Sequence, residues 1–154
     1  MVSVGKRVEN FNLPATGDQN LSLSDFKGRS LIIYFYPKDN TPGCTREGQD
    51  FRDLYPRFTE AGADILGVSR DSVKTHDNYR NKHGFPFQLL SDKEELLCRQ
   101  FDVIKEKKLY GRTYMGIERS TFLLDADGVL RQEWRKVRVP GHVEAVLETL
   151  ETLS

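Results

Sequence analysis

The chain has 154 residues, 38% of them hydrophobic and 30% charged, the composition of a soluble globular protein. Its 23 Lys and Arg are matched by 23 Asp and Glu, which removes the electrostatic case for nucleic acid or an anionic membrane as the main partner. Two cysteines are too few for a secreted disulfide scaffold, no apolar stretch is long enough to span a bilayer, and the start MVSVGKRVENFNLPA lacks an apolar signal region; a cytoplasmic single domain over 1–154 with resting thiols is expected.

The first strong signal is LIIYFYP (31–37), β-branched and aromatic, which predicts a buried strand. A helix is predicted over 42–59, where Phe51, Leu54, Tyr55 and Phe58 recur at i, i+3, i+4 and i+7 on one apolar face. Pro56 is expected to break or bend its last turn. ADILGVSRD (63–71) predicts a second strand, and SVKTHDNYRNKH (72–83) a helix with Asp71 or Ser72 as cap and Gly84 as stop. FQLLSD (87–92) predicts a third strand, and KEELLCRQF (93–101) a short helix on which Leu97 and Phe101 pair. STFLLDADGVLRQEWRK (120–136) predicts a hairpin about an Asp-Ala-Asp-Gly turn. A closing amphipathic helix carries Val143, Val146, Leu147 and Leu150 on one face. This alternation implies an α/β fold, a central mixed sheet with helices on both faces.

Cys44 falls in the first turn of the 42–59 helix, with Thr41 as N-cap and Pro42 as a favoured first residue. Unpaired N–H groups and the positive end of the helix dipole favour a thiolate there. Loops at the carboxyl ends of strands are also where α/β sheets bind ligands. From placement alone, a small residue packed at a turn is an equal reading. Glu47 stands where a dithiol motif would put its second cysteine. Cys98, His76, His83 and His142 have no metal-ligand spacing with Cys44, so no metal and no cofactor is expected.

The full stretch YFYPKDNTPGCTREGQDF resembles the peroxiredoxins of the AhpC/TSA superfamily, through Pro37, Thr41 and Cys44 in a Pro-x-x-x-Thr-x-x-Cys pattern. YPKDNTPGCT, VSRDS (68–72), LLSD (89–92), KEKKLYGRTYMGIERSTFLLD (105–125) and WRKVRVPGH (134–142) are similar to the PrxQ, or bacterioferritin comigratory protein, subgroup. The resemblance covers nearly the whole chain. It implies a thioredoxin-like fold and a peroxidase that reduces hydrogen peroxide and organic hydroperoxides. It assigns Cys44 as peroxidatic thiol, oxidised to a sulfenic acid, Thr41 as the hydroxyl on the peroxide, Pro37 as a shield, and Arg119 as the cation facing the sulfur. The backbone N–H groups of Gly43 and Cys44 are expected as further donors, and Glu47 as a group that orients Arg119. Each has a plainer competing role: cap for Thr41, strand terminator for Pro37, solvated surface for Arg119 and Glu47.

The subgroup usually keeps a resolving cysteine at one of two positions, which here are Gln49 and Arg80. Only Cys98 remains, and its flanks EELLCRQF favour an inert packed thiol. A one-cysteine cycle is therefore expected, with the sulfenic acid reduced by an external thiol: thioredoxin, glutaredoxin or a small molecule. An atypical two-cysteine cycle through Cys98 is the alternative, and it requires the first turn of the 42–59 helix to unwind. A thioredoxin-fold binding or chaperone-like module without turnover is a reading of another class. The intact set Pro37, Thr41, Cys44 and Arg119 argues against such decay, and Thr41 argues against a disulfide-directed thiol transferase. The subgroup resemblance implies a monomer or weak homodimer.

Overall fold

The computed structural model describes residues 1–153. In chain order it contains β1 (Asn12–Ala15), β2 (Gln19–Ser22), a 3₁₀ turn (Leu23–Phe26), β3 (Ser30–Phe35), α1 (Pro42–Glu60), β4 (Ala63–Ser69), α2 (Val73–His83) and β5 (Gln88–Ser91). Then follow α3 (Leu96–Gln100), β6 (Ile104–Leu109), β7 (Arg112–Ile117), β8 (Ser120–Leu124), β9 (Leu130–Trp134) and α4 (His142–Leu153). Seven strands form one mixed sheet in the order β2-β1-β5-β4-β3-β8-β9, and β6 and β7 form a separate hairpin. β3, β4 and β5 are parallel, joined by crossover helices, while β8 and β9 add antiparallel on the far side of β3.

β3 sits at the centre because all but its first residue are buried. Strand alternation sends Leu31, Ile33 and Phe35 to one face and Ile32, Tyr34 and Tyr36 to the other. The first face is covered by the 3₁₀ turn and α3 through Phe26, Leu97, Cys98 and Phe101. The second is covered by α1, α2 and α4, through Phe51, Phe58, Tyr79, Val143, Val146, Leu147 and Leu150. Cys98 and Cys44 thus belong to cores on opposite sides of the sheet.

Most predicted elements stand with their ends trimmed. Ser72 is the cap of α2, its hydroxyl accepting from Thr75 N–H, and Gly84 closes the helix at φ +63°. The predicted 120–136 hairpin forms, with Asp125 Oδ1 taking the N–H groups of Asp127 and Val129. Two expectations need correction. Pro56 does not break α1, which runs on to Glu60. The proline is exposed, Phe51 and Phe58 hold the opposite face in the core, and Thr59 hydroxyl donates to the Tyr55 carbonyl. The 93–101 helix shrinks to Leu96–Gln100, because Glu95 adopts φ +61° and Asp92 caps from outside by accepting the Cys98 N–H.

Two hairpins were not predicted. β1–β2 has strands of four residues, one containing Pro14. β6–β7 is mostly polar and exposed, so it carries little apolar alternation, although Tyr110 and Gly111 at φ +51° and +76° make its two-residue turn.

Candidate active site

β3 delivers the chain to one end of the sheet, and residues 36–41 turn it into α1. Thr41 takes the N-cap position with extended backbone (φ −92°, ψ 150°), and Pro42 follows at N1. The expected side-chain cap is absent: the Thr41 hydroxyl donates instead to the Lys38 carbonyl at 2.8 Å. The first backbone bond of the helix is Thr45 N–H to Thr41 carbonyl. The N–H groups of Gly43 and Cys44 therefore have no acceptor among the described residues. Cys44, in that first turn, is 2% exposed. Tyr79 of α2 donates to the Thr45 hydroxyl and braces the turn from the side.

Arg119 reaches this point through sheet register. β8 runs antiparallel to β3 with Ser120 opposite Phe35, so the residue before Ser120 stands at the end of β3 where α1 begins. Its Nη2 donates to Cys44 Sγ at 3.3 Å, and its Nη1 to Glu47 Oε1 at 2.7 Å. Gly43 lies against the same guanidinium, where a Cβ would meet Arg119 Nη2 at 3.4 Å, a contact distance. Burial works against the guanidinium's charge, yet Glu47 and Cys44 hold Arg119 above its ordinary range. That positive charge is also felt by His142, which burial first and Arg119 second push down to about 4; its Nε2 meets the Thr121 hydroxyl at 2.8 Å.

Glu47 lies on the same face as Cys44, one turn on, and is fully buried. Only Oε1 is bonded; Oε2 has no partner among the described residues. Burial raises its carboxyl to about 7, with Arg119 pulling the other way. A carboxyl whose folded value lies above its unfolded value favours folding fully below the unfolded value, and that contribution is lost as pH rises through about 7. Glu47→Gln keeps the shape and the acceptor for Arg119 but cannot ionise. Its stability relative to the natural chain is expected to rise between pH 5 and 8, by roughly 1–3 kcal/mol. Denaturant unfolding at several pH values measures this; parallel pH curves would contradict it.

Pro37 follows β3 and is half-buried beside the loop. Pro37, Thr41, Gly43, Cys44, Glu47 and Arg119 are therefore gathered at one end of the sheet, and Cys98 is not. Cys98 is fully buried beneath the opposite face, and burial and the Asp92 carboxylate push its thiol well above its usual range. Gln49 is half-buried on α1, and Arg80 is tied to the Phe87 carbonyl.

A further cluster lies beside the loop: the sequence marks Asp71 only as a possible helix cap and His76 as lacking metal-ligand spacing, and gives Asp39 no role. Among the described residues, Asp39, Asp71 and His76 bring ligand-type atoms within 4.8 Å of one another. These atoms are engaged in hydrogen bonds. Asp39 bonds Tyr36 hydroxyl and His76 Nδ1, and Asp71 accepts from the Asp39 N–H. No local pattern marks this cluster, since Asp39 and His76 are 37 positions apart.

The AhpC/TSA family model matches residues 4–133. Peroxiredoxin Bcp of Xanthomonas campestris is 59% identical over 143 residues, covering 92% of this chain and 89% of that protein. Peroxiredoxin Bcp of Bacillus subtilis is 48% identical over 153 residues, covering 99% and 98%. A PrxQ cysteine-to-serine variant from Xylella fastidiosa superimposes with a TM-score of 0.94 at 46% identity, covering 99% of this chain and 97% of that one. The bacterioferritin comigratory protein of X. campestris, studied for its alkyl peroxide reduction activity, superimposes with a TM-score of 0.88 at 57% identity, covering 92% and 90%. The expected thioredoxin-like architecture is borne out by these neighbours. A cysteine in the first turn of α1, an arginine delivered to it by β8, and agreement with these relatives along almost the whole chain lead to one assignment: this chain belongs to the AhpC/TSA family, among its Bcp/PrxQ peroxiredoxins.

Proposed function

We propose that Cys44 is the peroxidatic nucleophile of a thiol-dependent peroxidase acting on hydrogen peroxide and organic hydroperoxides. The observation that carries this reading is the 3.3 Å contact from Arg119 Nη2 to Cys44 Sγ, with Arg119 anchored by buried Glu47. The Cys44 thiolate attacks one peroxide oxygen. An S–O bond forms, the O–O bond breaks, and the distal oxygen leaves as an alcohol or water once it takes a proton. Sulfur is oxidised to sulfenic acid and the peroxide is reduced.

The other residues act on charge and alignment. Because the Thr41 hydroxyl proton points at the Lys38 carbonyl, its lone pairs are left to accept the peroxide proton. The free N–H groups of Gly43 and Cys44, with Arg119, donate to the oxygens as charge grows on them. Pro37 screens the loop side of the site from water.

The cycle is completed by an external thiol. It condenses with the sulfenic acid to a mixed disulfide, releasing water, and a second thiol displaces Cys44. The position of Cys98, beneath the other face of the sheet, supports this one-cysteine cycle over an internal disulfide. Thioredoxin, glutaredoxin or a small thiol fits the requirement, with the chain acting in the cytoplasm as a single domain, as a monomer or weak homodimer. No helix among the described residues is long and apolar enough to cross a membrane.

Turnover of hydrogen peroxide with dithiothreitol tests the reading. Cys98→Ser is expected to keep full turnover, and peroxide-treated natural protein to yield no peptide linking Cys44 to Cys98. A linked peptide from a monomer would replace the one-cysteine cycle with the internal one. Absence of peroxide consumption and of trapped sulfenic acid at Cys44 would instead favour a binding module.

A further inference from the structure

We infer that buried Asp39 and His76, with half-buried Asp71, form a positioning device that sets the Thr41 hydroxyl as an acceptor for the incoming hydroperoxide; this rests on the role proposed above for Thr41. The Lys38 carbonyl accepts from the Thr41 hydroxyl at 2.8 Å, and the N–H on the other side of the same peptide bond, that of Asp39, donates to Asp71 Oδ2 at 2.9 Å. The plane that directs the hydroxyl proton is thus held from behind by Asp71. Asp71 is itself fixed, because Oδ2 also accepts from the Ser69 hydroxyl and its carbonyl accepts from the Ser91 hydroxyl.

The Asp39 side chain supplies the second hold. Its Oδ1 accepts from Tyr36 hydroxyl at 2.6 Å, and its Oδ2 lies 2.6 Å from His76 Nδ1. His76 is fully buried, and its Nε2 lies 2.8 Å from the Leu90 carbonyl. A carbonyl only accepts, so Nε2 carries hydrogen. One further proton must then lie between Nδ1 and Oδ2, since two bare acceptors at that distance would repel. The Asp39–His76 pair therefore holds one shared proton and no net charge. A loop of six residues is tied by it to α2, which carries His76, and to β5, which carries Leu90. This arrangement stands apart from the sulfur chemistry: none of the three residues bonds Cys44, Arg119 or Glu47.

The alternative is a merely structural clamp, and two rates separate them. Oxidation of Cys44 by hydrogen peroxide needs the Thr41 acceptor; alkylation of Cys44 by iodoacetamide does not. Asp39→Ala is expected to slow oxidation about 100-fold, with alkylation within about twofold of the natural chain. Asp39→Asn supplies an amide hydrogen in place of the shared proton, and is expected to recover oxidation to within about tenfold. In a Thr41→Val background, Asp39→Ala is expected to change oxidation by less than about twofold, because the two act through one hydroxyl. Tyr36→Phe deletes a single hydroxyl and repeats the test, with a loss of about three- to tenfold, should Asp39→Ala not fold. Parallel loss of both rates, or losses that multiply with Thr41→Val, would overturn the inference. Failure of the natural protein to be oxidised at all would instead overturn the proposed function. Oxidation that responds to Thr41→Val but to none of the loop variants would overturn the positioning role alone.

Discussion

Replacing Cys44 with serine is expected to abolish peroxide turnover and leave the fold intact. Displacement at oxygen needs a soft nucleophile that is anionic near neutral pH, and a hydroxyl is neither. The substitution changes one buried atom, and the hydroxyl can still accept from Arg119 Nη2. The remaining thiol, Cys98, lies beneath the other face of the sheet with its proton held firmly by burial. Consumption of peroxide with dithiothreitol should fall by several orders of magnitude, to the background rate of the reductant alone. Circular dichroism and the unfolding midpoint should stay close to those of the natural chain. Substantial turnover by the serine variant would remove Cys44 from the mechanism.

Arg119→Met is expected to slow oxidation of Cys44 by about 10²–10³-fold, the loss typical of removing one donor aimed at developing charge. Methionine keeps much of the length and none of the charge. It removes the donor to Cys44 and leaves Glu47 Oε1 unpaired beside an already unpaired Oε2. Burial then acts on Glu47 unopposed, so its carboxyl becomes neutral rather than replacing one buried charge with another. Arg119→Lys should recover only part of the loss, because an ammonium cannot span Sγ and Oε1 with a planar fork. Rapid mixing with peroxide, followed by mass analysis of Cys44, reads the rate. A rate within a few-fold of the natural chain would show that the observed contact is not used.

The parts of this site differ in how far the sequence reveals them. Pro37, Thr41 and Cys44 lie within eight consecutive residues between a strand signal and a helix signal, so local pattern alone placed the thiol at a helix start. Ser72 and Gly84 were legible for the same reason, since capping chemistry is local. Arg119 was not: its contact with Cys44 spans 75 positions and exists because Phe35 pairs with Ser120. Only the family resemblance identified it. The Asp39–His76 pair spans 37 positions and had no such resemblance to announce it. The Thr41 hydroxyl shows a different limit. Its position at the N-cap was readable, but the choice of the Lys38 carbonyl over a helix N–H depends on a peptide plane held by Asp71. β6–β7 escaped detection because a strand pair with little buried surface leaves little apolar alternation.

The most direct test of Cys44 as a one-cysteine peroxidatic centre is the intact mass after one equivalent of hydrogen peroxide, in the absence of reductant, with peptide mapping of the product. One added oxygen located on Cys44, with Cys98 still a free thiol, is the predicted result. Loss of two hydrogens with a peptide joining Cys44 to Cys98, or an unchanged mass, would contradict it.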